Sequence, residues 1–219
     1  MRRANIIIKD TEQIGTVKDL TGVFESIAST QVAKVKSKVE LSKQFFQLLW
    51  QRYTALRIDP ATRITARDDG NGKSVFVVIS AEAGLSGDID QRLIESMLSN
   101  YDAKTTDIVV LGTHGATQLQ QRGIPFIRFF KVPETDQYID VSPVVDAIVP
   151  YSKIVVYYEE YVSLGMQGIK TMDLISNMHT MSEEVYEDTM TAEETIFEPS
   201  LDVIADEMEM TMMTLALSQ

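Results

Sequence analysis

Cysteine is absent from the 219 residues, which removes disulfides, thiolate zinc sites and cysteine nucleophiles together. Histidine is nearly so: His114 and His179 alone cannot assemble a multi-histidine metal site. Positive charge is also scarce. Twenty Lys and Arg stand against 32 Asp and Glu, a net charge of -12. A phosphate-binding surface wants the opposite balance, so nucleic acid is a poor partner. No stretch approaches the ~18 apolar residues of a membrane span, and charges run through the first twenty residues, where a signal peptide needs an apolar core. Proline is missing until Pro60. That absence leaves a long N-terminal stretch without its strongest helix breaker.

Within this stretch Val17, Leu20, Phe24, Ile27, Val35, Val39, Phe46, Leu49, Tyr53 and Leu56 recur mostly by threes and fours. The spacing predicts one amphipathic helix from Thr16 to Leu56, about 60 Å long at 1.5 Å per residue. Thr16 follows Gly15 as a cap, with Asp19 completing a capping-box pattern. Ahead of it, Ile6-Ile7-Ile8 suits a strand or an irregular packed turn. A helix longer than a small domain must pair with something, and a coiled coil is the usual solution. Ala28, Gln31 and Lys38 interrupt the seam, which fits a curved or asymmetric pairing, and two shorter helices broken near Ser37 or Ser42 are the alternative.

Beyond a Gly- and Asp-rich linker over Ile58–Lys73, the period changes. Ser74–Ser80 and Asp107–Gly112 are short apolar runs bounded by turn residues, as in strands buried on both faces. Ile124–Phe130 and Lys153–Tyr158 are further strands. Helices are expected over Ile89–Asn100, Ala116–Arg122 and Val141–Val149, the last opened by Ser142-Pro143. Alternation of this kind is βαβ organisation, so the fold class is α/β: a Rossmann-like, mostly parallel sheet with helices, plus a long N-terminal coiled-coil helix and a short C-terminal helix. Glu159–Leu164 and Gly168–Leu174 read as an antiparallel hairpin. Asn177–Thr191 lacks a period, Thr195–Pro199 suits a last strand, and Ser200 caps a final helix with Leu201, Ile204, Met208, Met212 and Leu215 on its apolar face. The expected domains are 1–60 for the long helix, 73–176 for the α/β unit, 177–194 for a mobile acidic connector and 195–219 for the last strand and helix. Eight of the 11 methionines lie from Met172 onward, either as core filling or as an adaptable binding face.

In α/β proteins chemistry usually sits at the carboxyl ends of the strands. Gly84-Leu85-Ser86-Gly87 follows a buried strand and precedes a helix, yet it has neither dinucleotide nor phosphate-loop spacing. Ser86 with His114 is the one nucleophile–base pair the order of elements brings to a common edge, outside any G-x-S-x-G context. Glu82, Asp88 and Asp90 are the candidate oxygen ligands for a hard cation, with helix capping as the simpler role for Asp88. No resident cofactor or metal is expected, and the chain is unpromising as an enzyme.

The order of landmarks resembles the gamma subunit of F-type ATP synthases. The resemblance rests on Thr16–Phe24 followed by Ile27–Lys36, on Val78–Asp90 around the Gly84-Leu85-Ser86-Gly87 turn, on Ile108–Gly112, on Lys153–Ser163 and on Thr195–Ser200. The family normally has Arg where this chain has Ala83, a second Gly where it has Asp88, and Asn where it has Asp90. Family members also continue into a long C-terminal helix that pairs with the first. This resemblance implies a non-catalytic rotor of the central stalk, with a non-rotary assembly or scaffold protein as the alternative. Its implied partners are a catalytic alpha/beta hexamer, an epsilon-type subunit and a membrane c-ring, with membrane contact only through them. The implied location is a peripheral membrane complex, on the cytoplasmic face in bacteria or the matrix side in an organelle. Candidate interface residues are Val17, Lys18, Phe24, Ile27, Lys34, Lys36, Lys38, Gly84, Leu85, Gly87, Met208 and Met212, with Lys43 extending the basic face.

Overall fold

Alternation along each central strand builds two cores, one on either face of a sheet. The computed structural model describes residues 2–55, 72–83, 86–133, 140–163, 166–183 and 201–217. The strands are β1 (Ser74–Ile79), β2 (Thr106–Leu111), β3 (Arg128–Phe130), β4 (Lys153–Ser163) and β5 (Met166–Asp173). Their order in the sheet is β3-β2-β1-β4-β5, parallel except for the β4–β5 pair. Val75, Val77, Val109, Leu111, Ile154 and Val156 point to one core. Phe76, Val78, Ile108, Val110, Val155 and Tyr157 point to the other. That is the period-2 geometry of strands covered on both sides.

Helices α2 (Ile89–Leu98) and α3 (Thr113–Gln121) cover the second face through Leu93, Ile94, Met97, Ala116 and Leu119. The first face is covered by α4 (Ser142–Ile148), α5 (Leu174–Glu183), α6 (Leu201–Leu217) and the end of α1 (Arg2–Ala55). Chain order runs outward from β1 to β2 and β3, then returns to β4 on the other side. The carboxyl edge of β1 is therefore a topological switch point.

The chain divides into two compact units, Met1–Gln44 and Phe45–Gln219. In the first, α1 is helical from Arg2, so Ile6–Ile8 is neither strand nor turn. Thr16 is not a cap: its Oγ1 donates to the Glu12 carbonyl at 3.1 Å. Thr11, Thr21 and Thr30 do the same one turn back, which satisfies hydroxyls in mid-helix. Gly15 and Gly22 are carried in the interior of the helix, each at a cost of roughly 1 kcal/mol against alanine. Within the first unit the seam residues do share a face, since Val17 and Val35 are about five turns apart. Ile8, Val23 and Leu41 lie off that stripe, however, so segregation over the whole helix is weak. All of them are exposed.

The second unit begins within α1. Phe46, Trp50 and Tyr53 recur by four and three and are buried, with ring centroids 6.2 and 6.0 Å apart along the series. Such pairs add about 0.5–1.5 kcal/mol beyond area burial. Helix α6 sinks Ala205, Glu209, Met212, Met213 and Ala216, while Ile204, Met208 and Leu215 are only half-buried. Its inner face is thus rotated from the stripe read in the sequence. The rotation brings in a carboxylate: Glu209, 3% exposed, accepts from the hydroxyl of Tyr53, 0% exposed.

Two further differences have simple causes. β4 is a single strand of 11 residues whose outer half pairs only with β5, so the fourth strand and the first arm of the hairpin are continuous. Leu174–Glu183 is helical, taking in the last residue expected of the hairpin arm and the start of the aperiodic Asn177–Thr191 segment. Asp173 Oδ1 accepts the Ser176 N–H there at 3.0 Å, and Leu174 and Met178 are buried one turn apart. Leu56, most of the Ile58–Lys73 linker, the remainder of the 177–194 connector, Thr195–Pro199 and the Ser200 cap lie outside the described residues.

Candidate functional site

The carboxyl edge of β1 meets the start of α3 through backbone contact. Gly112 ends β2 at a φ of +93°, and a Cβ there would lie 2.2 Å from the Ser80 carbonyl oxygen. A Cβ on Gly115 would lie 2.6 Å from the Ser80 Oγ. Only glycine fits either position, at Gly112 for its left-handed backbone as well as its size. The Ser80 hydroxyl exploits the approach, donating to Leu111 O at 2.9 Å and accepting from the Gly115 N–H at 2.9 Å. The His114 N–H donates to Ala81 O at 3.0 Å. Strand end and helix start are stitched together with little room for a ligand between them.

Glu82 anchors the same region from the side. Its carboxylate accepts the Thr113 hydroxyl at 2.7 Å, the Thr113 N–H at 3.2 Å and the Val132 N–H at 3.1 Å. The Thr113 hydroxyl, with those N–H groups, outweighs burial and holds the Glu82 carboxyl below its ordinary value. Asp88 occupies the N-cap of α2 without a capping hydrogen bond from its side chain; only its carbonyl serves, accepting the Arg92 N–H at 3.0 Å. The capping role expected of its carboxylate is therefore not the one it has. Among the described residues no group of three His, Cys, Asp or Glu could hold a metal ion, and the Glu82–Asp88–Asp90 cation reading is set aside.

Asp90, 4% exposed, is the hub. Oδ1 accepts the Ala81 N–H at 3.0 Å, and Oδ2 accepts both the Ser86 hydroxyl and His114 Nδ1 at 2.9 Å. Burial pushes its carboxyl up, but donors from Ser86, His114 and Ala81 prevail and leave it below the usual aspartate value. Ser86 Oγ also lies 3.1 Å from His114 Nδ1. A cavity of about 430 Å³, lined by Ser86, Asp90, His114, Thr117 and Gln118, opens over the cluster.

These contacts bring Ser86 and His114 together, as their order in the sequence suggested, but in the wrong geometry for acyl transfer. A Ser-His-Asp relay places serine and carboxylate on opposite ring nitrogens. Here both address Nδ1. A proton on Nδ1 is directed at Asp90, and that nitrogen then cannot accept from Ser86. The Ser86 proton is itself given to Asp90. The arrangement fastens a turn and does not activate a nucleophile.

One member of the cluster was not singled out in the sequence. Glu159, placed there only at the start of a hairpin arm, lies on β4, where burial first and then the Asp90 charge push its carboxyl up to about 7. The missed signal is an acidic residue in step with Val155 and Tyr157 on a core-facing row. Of the interface candidates, Val17, Lys18, Phe24, Ile27, Lys34, Lys36 and Lys38 are exposed along α1. Gly87 has a φ of +69° with open space around it, and Gly84 and Leu85 lie outside the described residues. Met212 is buried and Met208 packs against the same core, so this stripe fills the interior. His179 falls in α5.

A long helix and a doubly wound sheet, with glycines confined at the switch point, define an α/β protein. The chain belongs to the ATP synthase family, whose model matches residues 7–219. Within that family it is a homologue of the gamma chain. It is 24% identical to the ATP synthase gamma chain of Clostridium novyi (strain NT) over 206 residues, 89% of this chain and 70% of that one. Similarity to the gamma chain of Alkaliphilus metalliredigens (strain QYMF) is also 24%, over 60% of this chain and 47% of that one. The solved central stalk and c-ring of the Tetrahymena thermophila mitochondrial ATP synthase contains a chain that matches with a TM-score of 0.48 and 13% identity. That match covers 84% of this chain and 89% of the other. Gamma-chain homology makes this a non-catalytic, coupling type of subunit.

Proposed function

We propose that this chain is the central-stalk, or rotor, subunit of an F-type ATP synthase, coupling rotation of a membrane c-ring to a catalytic head. The observation that carries the reading is the family match over residues 7–219, together with the 54-residue helix α1. Torque needs stiffness and directional contact, not a reactive group. A continuous helix of 54 residues supplies the first. The exposed apolar residues Val17, Phe24 and Ile27 and the basic set Lys18, Lys34, Lys36, Lys38 and Lys43 supply surfaces for partner helices and acidic loops.

In this reading the catalytic chemistry belongs to an alpha/beta-type hexamer, and an epsilon-type subunit joins the globular unit near the c-ring. Among the described residues no helix is long and apolar enough to cross a membrane, and attachment runs through those partners. The subunit then faces the cytoplasm in a bacterium or the matrix in an organelle. The test is affinity isolation of the tagged full chain from its source under mild detergent. Recovery of alpha-, beta- and c-type subunits in one complex with ATPase activity is expected. Isolation of the chain without any of them would refute the assignment.

A further inference from the structure

The hydroxyl protons in the wall of the cavity over the switch point are already spent. Ser86 gives its proton to Asp90, and Thr117 donates to the Thr113 carbonyl at 2.8 Å. A carboxylate oxygen 2.9 Å from His114 Nδ1 requires the proton on that nitrogen, so in the neutral ring Nε2 is an acceptor. The His114 side chain remains 31% exposed. What Ser86, Thr117 and His114 have left to offer is lone pairs. Behind them stands Asp90, 4% exposed. Despite burial, hydrogen bonds from Ser86, His114 and Ala81 hold its carboxyl below the usual aspartate value, so the wall carries a fixed negative charge. Among the described residues no Lys or Arg lines the space to answer it. Arg122, one turn along α3, is engaged by Gln118 and by Glu95 at 3.5 Å. An anion has no seat here. The N–H groups that open α3, from Thr113, His114 and Gly115, are given to Glu82, Ala81 and Ser80, and Asp90 itself occupies the first turn of α2.

We propose that this cavity is the receptor for a guanidinium group, the arginine side chain of a partner protein. A guanidinium is donor-only, with five N–H groups in a planar fork that addresses several acceptors at once. Ser86 comes from the turn before α2, and His114 and Thr117 lie one turn apart on α3, so the acceptors are spread as a fork requires. An ammonium is compact and holds its water more tightly. A space of about 430 Å³ is far larger than that head and admits an arginine head with its stem. A free guanidino acid would bring its own carboxylate to a wall without a cation, whereas an arginine within a polypeptide does not. Asp90 supplies the charge while its oxygens stay on Ala81, Ser86 and His114. The site is independent of the stalk assignment, because a capped arginine occupies it whichever complex the chain joins.

Titration of the full chain with N-acetyl-arginine amide, followed by NMR of the His114 ring and the Thr117 amide, tests the chemistry. Saturable shifts confined to the cavity are expected at millimolar probe. N-acetyl-citrulline amide has the same shape without the charge and should bind at least about five-fold more weakly. Asp90→Asn should weaken the arginine probe by about ten-fold. Thr117→Lys, at an exposed position on α3, should abolish its binding by placing a cation in the space. Equal binding of the two probes overturns the proposal, as do shifts scattered over carboxylates elsewhere or undiminished binding to Thr117→Lys. Should Asp90→Asn not fold, Thr117→Lys and the citrulline comparison decide the matter. The partner is tested by photo-crosslinking from benzoylphenylalanine at position 117 in the source cells. The expected adduct is one partner peptide with an arginine beside the attachment point, lost when that arginine is replaced by glutamine. No adduct, or an adduct indifferent to that replacement, overturns the assignment to a partner's arginine.

Discussion

The contact between Ser80, Gly112 and Gly115 permits a demanding test, because the two glycines are confined by different atoms. A Cβ on Gly112 meets the Ser80 backbone oxygen at 2.2 Å, in a backbone conformation with φ +93°. Neither problem can be relieved by trimming a side chain. Strain at a positive φ costs on the order of 1–3 kcal/mol, and displacing the strand end adds overpacking of about 1–3 kcal/mol. Gly112→Ala should therefore lose roughly 2–6 kcal/mol. On Gly115 the nearest atom is instead the Ser80 hydroxyl at 2.6 Å, with Ser80 Cβ at 3.0 Å. Ser80→Ala alone should cost ~1–3 kcal/mol, because the buried Gly115 N–H and Leu111 carbonyl each lose a partner. Combined with Ser80→Ala, the Gly115→Ala penalty should shrink, giving a coupling of about 0.5–2 kcal/mol; no such rescue is expected for Gly112→Ala. Urea unfolding followed by Trp50, the single tryptophan and a buried one, reads the stability of the unit that contains all three residues. A Gly112→Ala variant within ~1 kcal/mol of wild type, or one rescued by Ser80→Ala as fully as Gly115→Ala, would refute the steric reasoning.

Tyr53→Phe leaves the buried Glu209 carboxylate without the tyrosine hydroxyl and should cost about 1.5–3 kcal/mol, read as a lower urea midpoint with an unchanged m-value. Gly22→Ala goes the other way: nothing lies within 4 Å of the added Cβ, and thermal melts followed at the helical circular-dichroism band should show a gain of roughly 0.5–1 kcal/mol. Asp107 accepts Lys73 Nζ and the Tyr151 hydroxyl, each at 2.8 Å, and Lys73 chiefly holds its carboxyl below 3.8. Its stabilisation is present above the unfolded value and fades as pH falls through the lower folded one, so the stability gap between wild type and Asp107→Asn should close below pH 3.8. Glu159 has the opposite sign. Its carboxyl is raised from 4.5 to about 7, so its stabilisation is complete below 4.5 and declines as pH rises to about 7; Glu159→Gln should lack that decline in denaturant midpoints measured across the range.

The order of elements was legible because local patterns and their tertiary use agreed. Val75–Ile79 and Ile108–Leu111 are apolar without a break, and both became strands covered on two faces. The start of α1 was misread because Ile6–Ile8 favours a strand locally and Gly15 resembles a boundary. Neither signal prevailed: α1 runs through both, and threonine hydroxyls along it are satisfied by carbonyls one turn back. Ser86 and His114 were correctly brought to one edge, since strand order fixes which loops share an edge. Their shared use of Nδ1 could not be read there, because ring orientation depends on where Asp90 and the α3 backbone sit.

The sequence by itself determined the long helix, the βαβ order and the positive-φ turn glycine at Gly87, since each rests on periodicity or on a residue type with one conformational use. Only the tertiary structure decided that Glu209 faces inward toward Tyr53 and that Gly112 and Gly115 admit the Ser80 backbone and hydroxyl. It also decided that Asp90 gathers Ala81, Ser86 and His114 at the edge of the sheet. Most of these are contacts between residues far apart in the chain. Helix rotation and strand register set them, and those in turn follow from how the two cores pack as wholes.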